Sequence, residues 1–335
     1  MSRDQIELPT LTNPHADRVR VVHNLSQRTA RRRTGQYLVE GPQAVRELLR
    51  WSPERVRDVY LTPEAAERYP ELVADSAGLY RHIGTAEVLH AMSADAQGVL
   101  AVATTPTAQD IALGQDLASG QHSAPGNDTA PGRHVGPGQD GPAAREAATG
   151  AARAMPVGPL PATALPQLLD TRPRLIALLA RVRDPGNLGT VIRVADAAGA
   201  DAVVIAGDAV EVTNPKVVRS TAGSLFHLPV VHGLPVAEAV AALRGAGTQV
   251  LAADGAGTLD LDDLQDAAAL GATDHEADLR RPTAWLFGNE AWGLPEEDRS
   301  LADAVVRVPL RGHAESLNLA TAAAVCLYAS SRAHR

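Results

Sequence analysis

Five polar residues stand where an α/β chain could do chemistry: Asn187, Arg193, Glu290, Ser316 and Asn318. Each lies just beyond a short apolar run, in a polar loop or on the helix that the loop opens. Open α/β sheets hold their ligands in such loops, at the carboxyl ends of strands. Gly186-Asn187-Leu188-Gly189 first suggests a phosphate loop. This turn has neither the GxxxxGK[ST] pattern nor GxGxxG with a following acidic ribose ligand, so that chemistry is excluded here. Arg193 follows on an Ala/Val-rich helical face, where a charge needs a reason. It could snorkel to solvent or pair with Asp196. Taken singly, Glu290 is a surface carboxylate, and Ser316 and Asn318 are ordinary helix-start caps.

The elements that position these residues are legible. Val305–Val308 is a β-branched strand stopped by Pro309, which cannot donate to a ladder. A polar loop, Arg311–Glu315, leads to an alanine-rich helix opening at Ser316-Leu317-Asn318, with Ser316 as its expected cap. Leu175–Ala180 is a buried strand before a helix over Asn187–Ala198 that ends at Gly199. Strands are also expected over 201–206, 228–231, 249–253 and 283–287, and helices over 212–222 and 236–245.

Three of these stretches carry a resemblance. Asp184-Pro185-Gly186-Asn187-Leu188-Gly189-Thr190-Val191-Ile192-Arg193-Val194-Ala195 resembles the first motif of the SpoU (TrmH-type) RNA 2′-O-ribose methyltransferases, of the SPOUT superfamily. Leu286-Phe287-Gly288-Asn289-Glu290-Ala291-Trp292-Gly293-Leu294 resembles the second motif. Val308-Pro309-Leu310, then Gly312, then Ser316-Leu317-Asn318 resembles the third. The three occur in the family's order, each after a strand. The resemblance implies a C-terminal α/β sheet with a deep trefoil knot, a homodimer with the knot at its interface, and S-adenosylmethionine as cofactor. It implies that Asn187 and Arg193 act at the target phosphate and 2′-hydroxyl, and that Glu290 orients one of them. Ser316 and Asn318 would hold substrate. Leu286, Gly288, Val308, Pro309, Leu310 and Leu317 would bind the cofactor through backbone groups and apolar contacts, with Trp292 as a cover. Arginine stays protonated, so Arg193 is expected to stabilise a developing alkoxide rather than serve as a base. No metal is implied.

Upstream, alternating strands (37–39, 56–61, 79–83, 99–103) and helices (42–49, 65–74, 86–92) indicate a separate α/β unit. It resembles the ribosomal-protein-L30e-like substrate domain that precedes many SpoU catalytic domains. Its basic stretch places Arg28, Arg31, Arg32 and Arg33 as RNA contacts, since arginine neutralises phosphate charge. Lys216 and Arg219, in a family-like stretch of the second unit, are expected to join them; His227 is expected to be a packed structural histidine. Between the units, 106–164 is dominated by Gly, Pro and Ala and lacks the apolar period that could offset ordering entropy, so it reads as a disordered linker. The expected organisation is a leader (1–17), a substrate-binding domain (18–105), the linker (106–164) and a catalytic domain (165–335), with an acidic insert near 259–281.

The bulk numbers fit. At 335 residues and 45% hydrophobic, the chain can bury a core in two domains. The net charge of −8 argues mildly against nucleic acid, but segregated charge matters more than the sum. Aromatics at 3% argue against an RRM-like stacking platform. No apolar run approaches the ~20 residues of a membrane span, and the N-terminus lacks a signal-peptide core. The lone Cys326 excludes an internal disulfide or a cysteine zinc site. The expected protein is cytoplasmic and methylates RNA, ribosomal RNA first; transfer RNA is the alternative substrate, and a non-catalytic RNA-binding assembly factor the alternative class.

Overall fold

The computed structural model describes residues 9–106, 155–272, 276–289 and 291–335. The first sheet holds β1 (Gln36–Glu40), β2 (Val56–Leu61), β3 (Arg81–Ile83) and β4 (Val99–Thr104), in the order β1-β4-β2-β3. β4 runs antiparallel to both neighbours, and β2 and β3 are parallel. Helix Pro42–Trp51 starts on Pro42, at a position whose N–H has no helical partner anyway. It buries Val45, Leu48 and Leu49 against this sheet. The single helix expected over 65–74 is two, Pro63–Arg68 and Pro70–Asp75. Pro70 has no amide to continue the first and instead opens the second. Residues 9–16, expected within a loose leader, are docked: the amides of Thr10 and Leu11 donate to the Ile83 carbonyl. Residues 1–8 lie outside the described residues.

The second sheet holds β5 (Gly158–Pro161), β6 (Leu175–Ala180), β7 (Ala202–Ala206), β8 (Pro229–Leu234), β9 (Gln249–Ala253), β10 (Leu259–Asp260), β11 (Thr283–Phe287) and β12 (Ala304–Arg307). Every pairing is parallel, in the order β10-β12-β9-β11-β6-β7-β8-β5. Parallel strands covered on both faces read as continuous apolar runs, and β6 is buried at all its positions. β5 corrects the expected boundary. Gly158–Pro161 fell in the linker reading because of its prolines, yet it pairs with β8 at the sheet's edge. An edge strand tolerates residues without an N–H. Residues 107–154 of that span lie outside the described residues. The insert near 259–281 contributes β10 and helix Leu261–Leu270, capped by Asp260 and ended by left-handed Gly271.

Two helices carry the chemistry-bearing residues. Pro185–Ala198 is capped by the Asp184 side chain, which accepts from the Asn187 amide at 2.7 Å, and ends at left-handed Gly199. Gly189 lies where this helix meets helix Pro215–Ser220: a Cβ there would stand 2.5 Å from the Ser220 Cβ. Leu319–Ala333 is the last helix. Its cap is Asn318, not Ser316 as expected. Asn318 is extended and its Oδ1 accepts from the Ala320 amide at 2.9 Å, while Ser316 stays exposed in the preceding loop.

After β8 the chain crosses to β9, β11 enters between β9 and β6, and β12 returns outside β9. The carboxyl ends of β6, β9, β11 and β12 therefore gather at the point where the strand order reverses. The two sheets share one apolar core, in which Tyr37, Val39 and Val45 join Leu188, Val218 and Phe226. Among the described residues four ionic links cross between the two units: Arg31–Glu211 at 2.5 Å, Arg219–Glu40 at 2.5 Å, Arg219–Asp95 at 2.8 Å and His227–Glu47 at 3.1 Å.

Candidate active site

At the reversal point lies a cavity of about 500 Å³, within the range of small-molecule sites. Its walls come from the ends of β9 (Ala253, Asp254), β11 (Phe287, Gly288) and β12 (Val308, Leu310). Ser316, Leu317 and Asn318 close it. Of the six residues expected at the cofactor, Gly288, Val308, Leu310 and Leu317 line it. Leu286 does not: strand alternation turns it into the core on the other side of β11, fully buried. Pro309 is half-buried and outside the lining.

Gly288 must be glycine. A Cβ there would come 2.4 Å from the Gly293 carbonyl carbon, because Asn289 and Gly293 exchange both backbone hydrogen bonds and fold the loop onto itself. Asn289, to which sequence reasoning gave no role, closes that loop. Its Nδ2 donates to the Arg181 carbonyl at 3.0 Å and its Oδ1 accepts from the Ala291 amide at 2.8 Å. Arg181 is itself left-handed (φ 57°) and is held by Asp298 at 2.7 Å and Glu297 at 2.6 Å. The loops leaving β6 and β11 are thus tied together. The signal available beforehand was the Gly288…Gly293 spacing, which marks a tight turn. Asp254 was also missed; its signal is the Asp254-Gly255 turn after a strand.

The expected reacting residues divide. Asn318 donates through Nδ2 to Asn187 Oδ1 at 3.0 Å, which joins the last helix to the start of helix Pro185–Ala198 beside the cavity. Ser316 lines the cavity, exposed. Arg193 is exposed, does not line the cavity, and has no ion-pair partner among the described residues. It does not pair with Asp196, whose partner is His227 at 2.8 Å. Glu290 lies outside the described residues. Trp292 lines the cavity at its rim, 72% exposed, with the Arg183 guanidinium 5.8 Å from its ring centre.

The expected RNA contacts divide as well. Arg28, Arg32, Arg33 and Lys216 are exposed. Arg31 is not available to phosphate, and Arg219 is half-buried and already paired with carboxylates. Arg31 is buried, and its guanidinium donates to the Leu25 and Ser26 carbonyls and to Glu211. Arg219 is held by Glu40 and by Asp95 at 2.8 Å. Charge runs show which residues are basic, not which find a partner on another element. His227 is the packed histidine that was expected: Asp196 and Glu47 hydrogen-bond it from both sides and raise its pKa despite partial burial. Burial pushes the Cys326 thiol up to about 12, which leaves it inert.

No helix among the described residues is long and apolar enough to cross a membrane, and they contain no cluster of metal-ligating side chains.

Residues 174–328 match the model of the SpoU rRNA Methylase family. The chain is 39% identical over 179 residues to the 23S rRNA (uridine(2479)-2'-O)-methyltransferase of Streptomyces viridochromogenes, across 52% of this chain and 58% of that protein. It is 41% identical over 156 residues to the 23S rRNA (guanosine(2553)-2'-O)-methyltransferase RlmP of Bacillus subtilis, across 46% and 57%. These alignments span little more than half the length of either relative. Among solved structures, the SpoU methyltransferase AviRb from Streptomyces viridochromogenes aligns over 95% of this chain and 98% of its own, with a TM-score of 0.64 and 27% identity. An AdoMet-bound rRNA methyltransferase from Sinorhizobium meliloti shares the fold, with a TM-score of 0.65 at 24% identity over 96% of this chain and 97% of its own.

Proposed function

We propose that this chain, whose residues 174–328 match the model of the SpoU rRNA Methylase family, belongs to that family and transfers a methyl group from S-adenosylmethionine to a ribose 2′-hydroxyl of ribosomal RNA. The observation that carries the reading is the Asn318–Asn187 hydrogen bond at the mouth of the 500 Å³ cavity. It joins two of the expected reacting residues across 131 positions of sequence.

The cavity suits the proposed cofactor. Its described lining contains no lysine or arginine, as expected for a ligand without phosphate. Phe287, Val308 and Leu317 offer an apolar face to an adenine, and Asp254 and Glu315 offer negative charge to a sulfonium or ammonium. When bound, S-adenosylmethionine supplies an electrophilic methyl group. The chain's own residues then have three tasks. The Asn289 clasp keeps the β11 loop closed along the cavity. Asn318 and Asn187 fix the position where a ribose hydroxyl meets the methyl, which is the proximity effect. Arg193, always charged, stabilises the developing alkoxide while the hydroxyl proton passes to solvent water.

A second copy of the chain belongs to this reading. Val325 and Tyr328 are exposed on the last helix, and the Tyr328 hydroxyl donates to the Ala197 carbonyl on the helix that bears Arg193. A partner seated on this face would bury them and enclose Arg193. The return of the chain from β12 to pack its last helix on helix Pro185–Ala198 supports the trefoil knot. The β1–β4 unit is read as the L30e-like RNA-binding domain, and the cytoplasm as the place of action.

The test is tritiated methyl transfer to total RNA from a strain lacking the gene, with Arg193→Ala as control. The expected result is label in one large ribosomal RNA, absent with the variant. Label in transfer RNA alone overturns the substrate. No label, together with no S-adenosylmethionine binding, overturns the enzyme.

A further inference from the structure

A second cavity, larger than the candidate active site, lies elsewhere in the molecule. It measures about 720 Å³ and lies between the two sheets, with walls from both units. Its apolar floor includes Ile205, Val212 and Leu234, all buried. Arg28 and Arg32, one helical turn apart, stand at its edge. Two carboxylates also line it, and both are already answered: Glu211 by Arg31 at 2.5 Å and Asp208 by Arg183 at 3.5 Å. Arg28 and Arg32 have no ion-pair partner among the described residues and are exposed. The cavity's uncompensated charge is therefore positive, above an apolar floor. In an acidic chain that combination has to be built. Burial lowers the His232 pKa, so this lining residue is a neutral imidazole at pH 7, able to both donate and accept.

Three side chains connect this cavity to the candidate active site. Asp208 lines the large cavity and pairs with Arg183. The Arg183 guanidinium lies over the Trp292 ring, and Trp292 lines the smaller cavity. A guanidinium over an exposed indole offers flat, charged surface to a strand passing from one cavity to the other.

We infer that the cavity between the two sheets is a second nucleotide subsite, which takes a base of single-stranded RNA near the target ribose, with its phosphate on Arg28 and Arg32. A base edge needs donors and acceptors, and His232 and Gln36 provide them. A duplex could not enter, because its bases are stacked and paired; the substrate class is an unpaired loop or bulge. This rests on the RNA methylation proposed above and adds where the strand is gripped.

The experiment measures equilibrium binding of an unpaired ribosomal RNA fragment across a salt series, with methyl transfer and S-adenosylmethionine binding run in parallel. Three variants are compared with the wild type, each checked for an unchanged melting temperature. The Arg28→Ala/Arg32→Ala variant is expected to lose affinity and to flatten the salt dependence by about two charges. Arg28→Lys/Arg32→Lys is expected to keep the slope. Ala209→Trp, which fills the cavity from its half-buried lining without removing a charge, is expected to weaken binding roughly tenfold with the slope intact, the loss of one base buried against the apolar floor. S-adenosylmethionine binding is unchanged in all three. If a folded Ala209→Trp binds the fragment as tightly as wild type, or the fragment binds no better than a duplex, the subsite is wrong. A wild type that binds RNA in this pattern but transfers no methyl overturns the enzyme reading and leaves the subsite standing.

Discussion

Replacing Arg31 distinguishes a buried strut from a phosphate contact. Its side chain is 4% exposed and its partner Glu211 is 17% exposed. Besides the ion pair at 2.5 Å, its guanidinium donates to the Leu25 and Ser26 carbonyls at 3.0 and 2.8 Å. Arg31→Ala leaves a largely buried carboxylate unpaired and two carbonyls without this donor. Breaking a buried pair from one side costs about 3–5 kcal/mol. At about 2–4 °C per kcal/mol for a large domain, the melting temperature should fall by roughly 6–20 °C in a thermal unfolding scan. Arg31→Met/Glu211→Leu removes both charges and should recover most of that loss, since an apolar pair of similar volume is near neutral. It should not recover all, because the carbonyls still lack their donor. If Arg31→Ala melts with the wild type and only weakens RNA binding, the buried-strut argument fails and Arg31 returns to the phosphate contacts.

Three further outcomes follow from the geometry. Asn318→Ala should lose both the helix cap and the Asn187 contact, lowering stability by about 1–2 kcal/mol; Asn318→Ser should keep most of the cap, and both should abolish methyl transfer. If Asn318→Ser is as active as wild type, the bridge to Asn187 has no role in the reaction. Gly288→Ala, whose Cβ would meet the Gly293 carbonyl, should force the β11 loop open and weaken S-adenosylmethionine binding tenfold or more by calorimetry, while RNA affinity holds. The third outcome concerns His227, whose pKa is raised by the Asp196 hydrogen bond first and the Glu47 bond after it. A raised folded value means that the stabilisation is complete below the ordinary histidine value near 6.5 and is lost as pH rises through the folded value. The wild-type melting temperature should therefore decline over that window, and a His227→Gln variant should lack the step.

What could be read in advance was local. The apolar run of Leu175–Ala180, the Asp184 and Pro185 start, the Gly199 stop and the alanine-rich last helix each follow from residues within a few positions of one another. The three motifs likewise led to Gly288, Val308, Leu317 and Asn318, which share one cavity. The misreadings have a common physical cause. Arg31 meets Glu211 across 180 positions and Arg219 meets Glu40 across 179, so no window of sequence shows that these arginines are spoken for. β5 was hidden because two prolines mimic a linker wherever the neighbour that accepts them, β8, lies about 70 residues away. Leu286 was misplaced by one pleat, since a motif names a strand end but not which face of it turns to the ligand. The same reasoning explains why the larger cavity went unseen. Its basic edge belongs to one unit and its apolar floor to the other, and either half alone is an ordinary surface. Only the docking of the two units, through their shared apolar core and the links of Arg31, Arg219 and His227, makes them a site, so arginines already committed to carboxylates help hold Arg28 and Arg32 where RNA can be gripped.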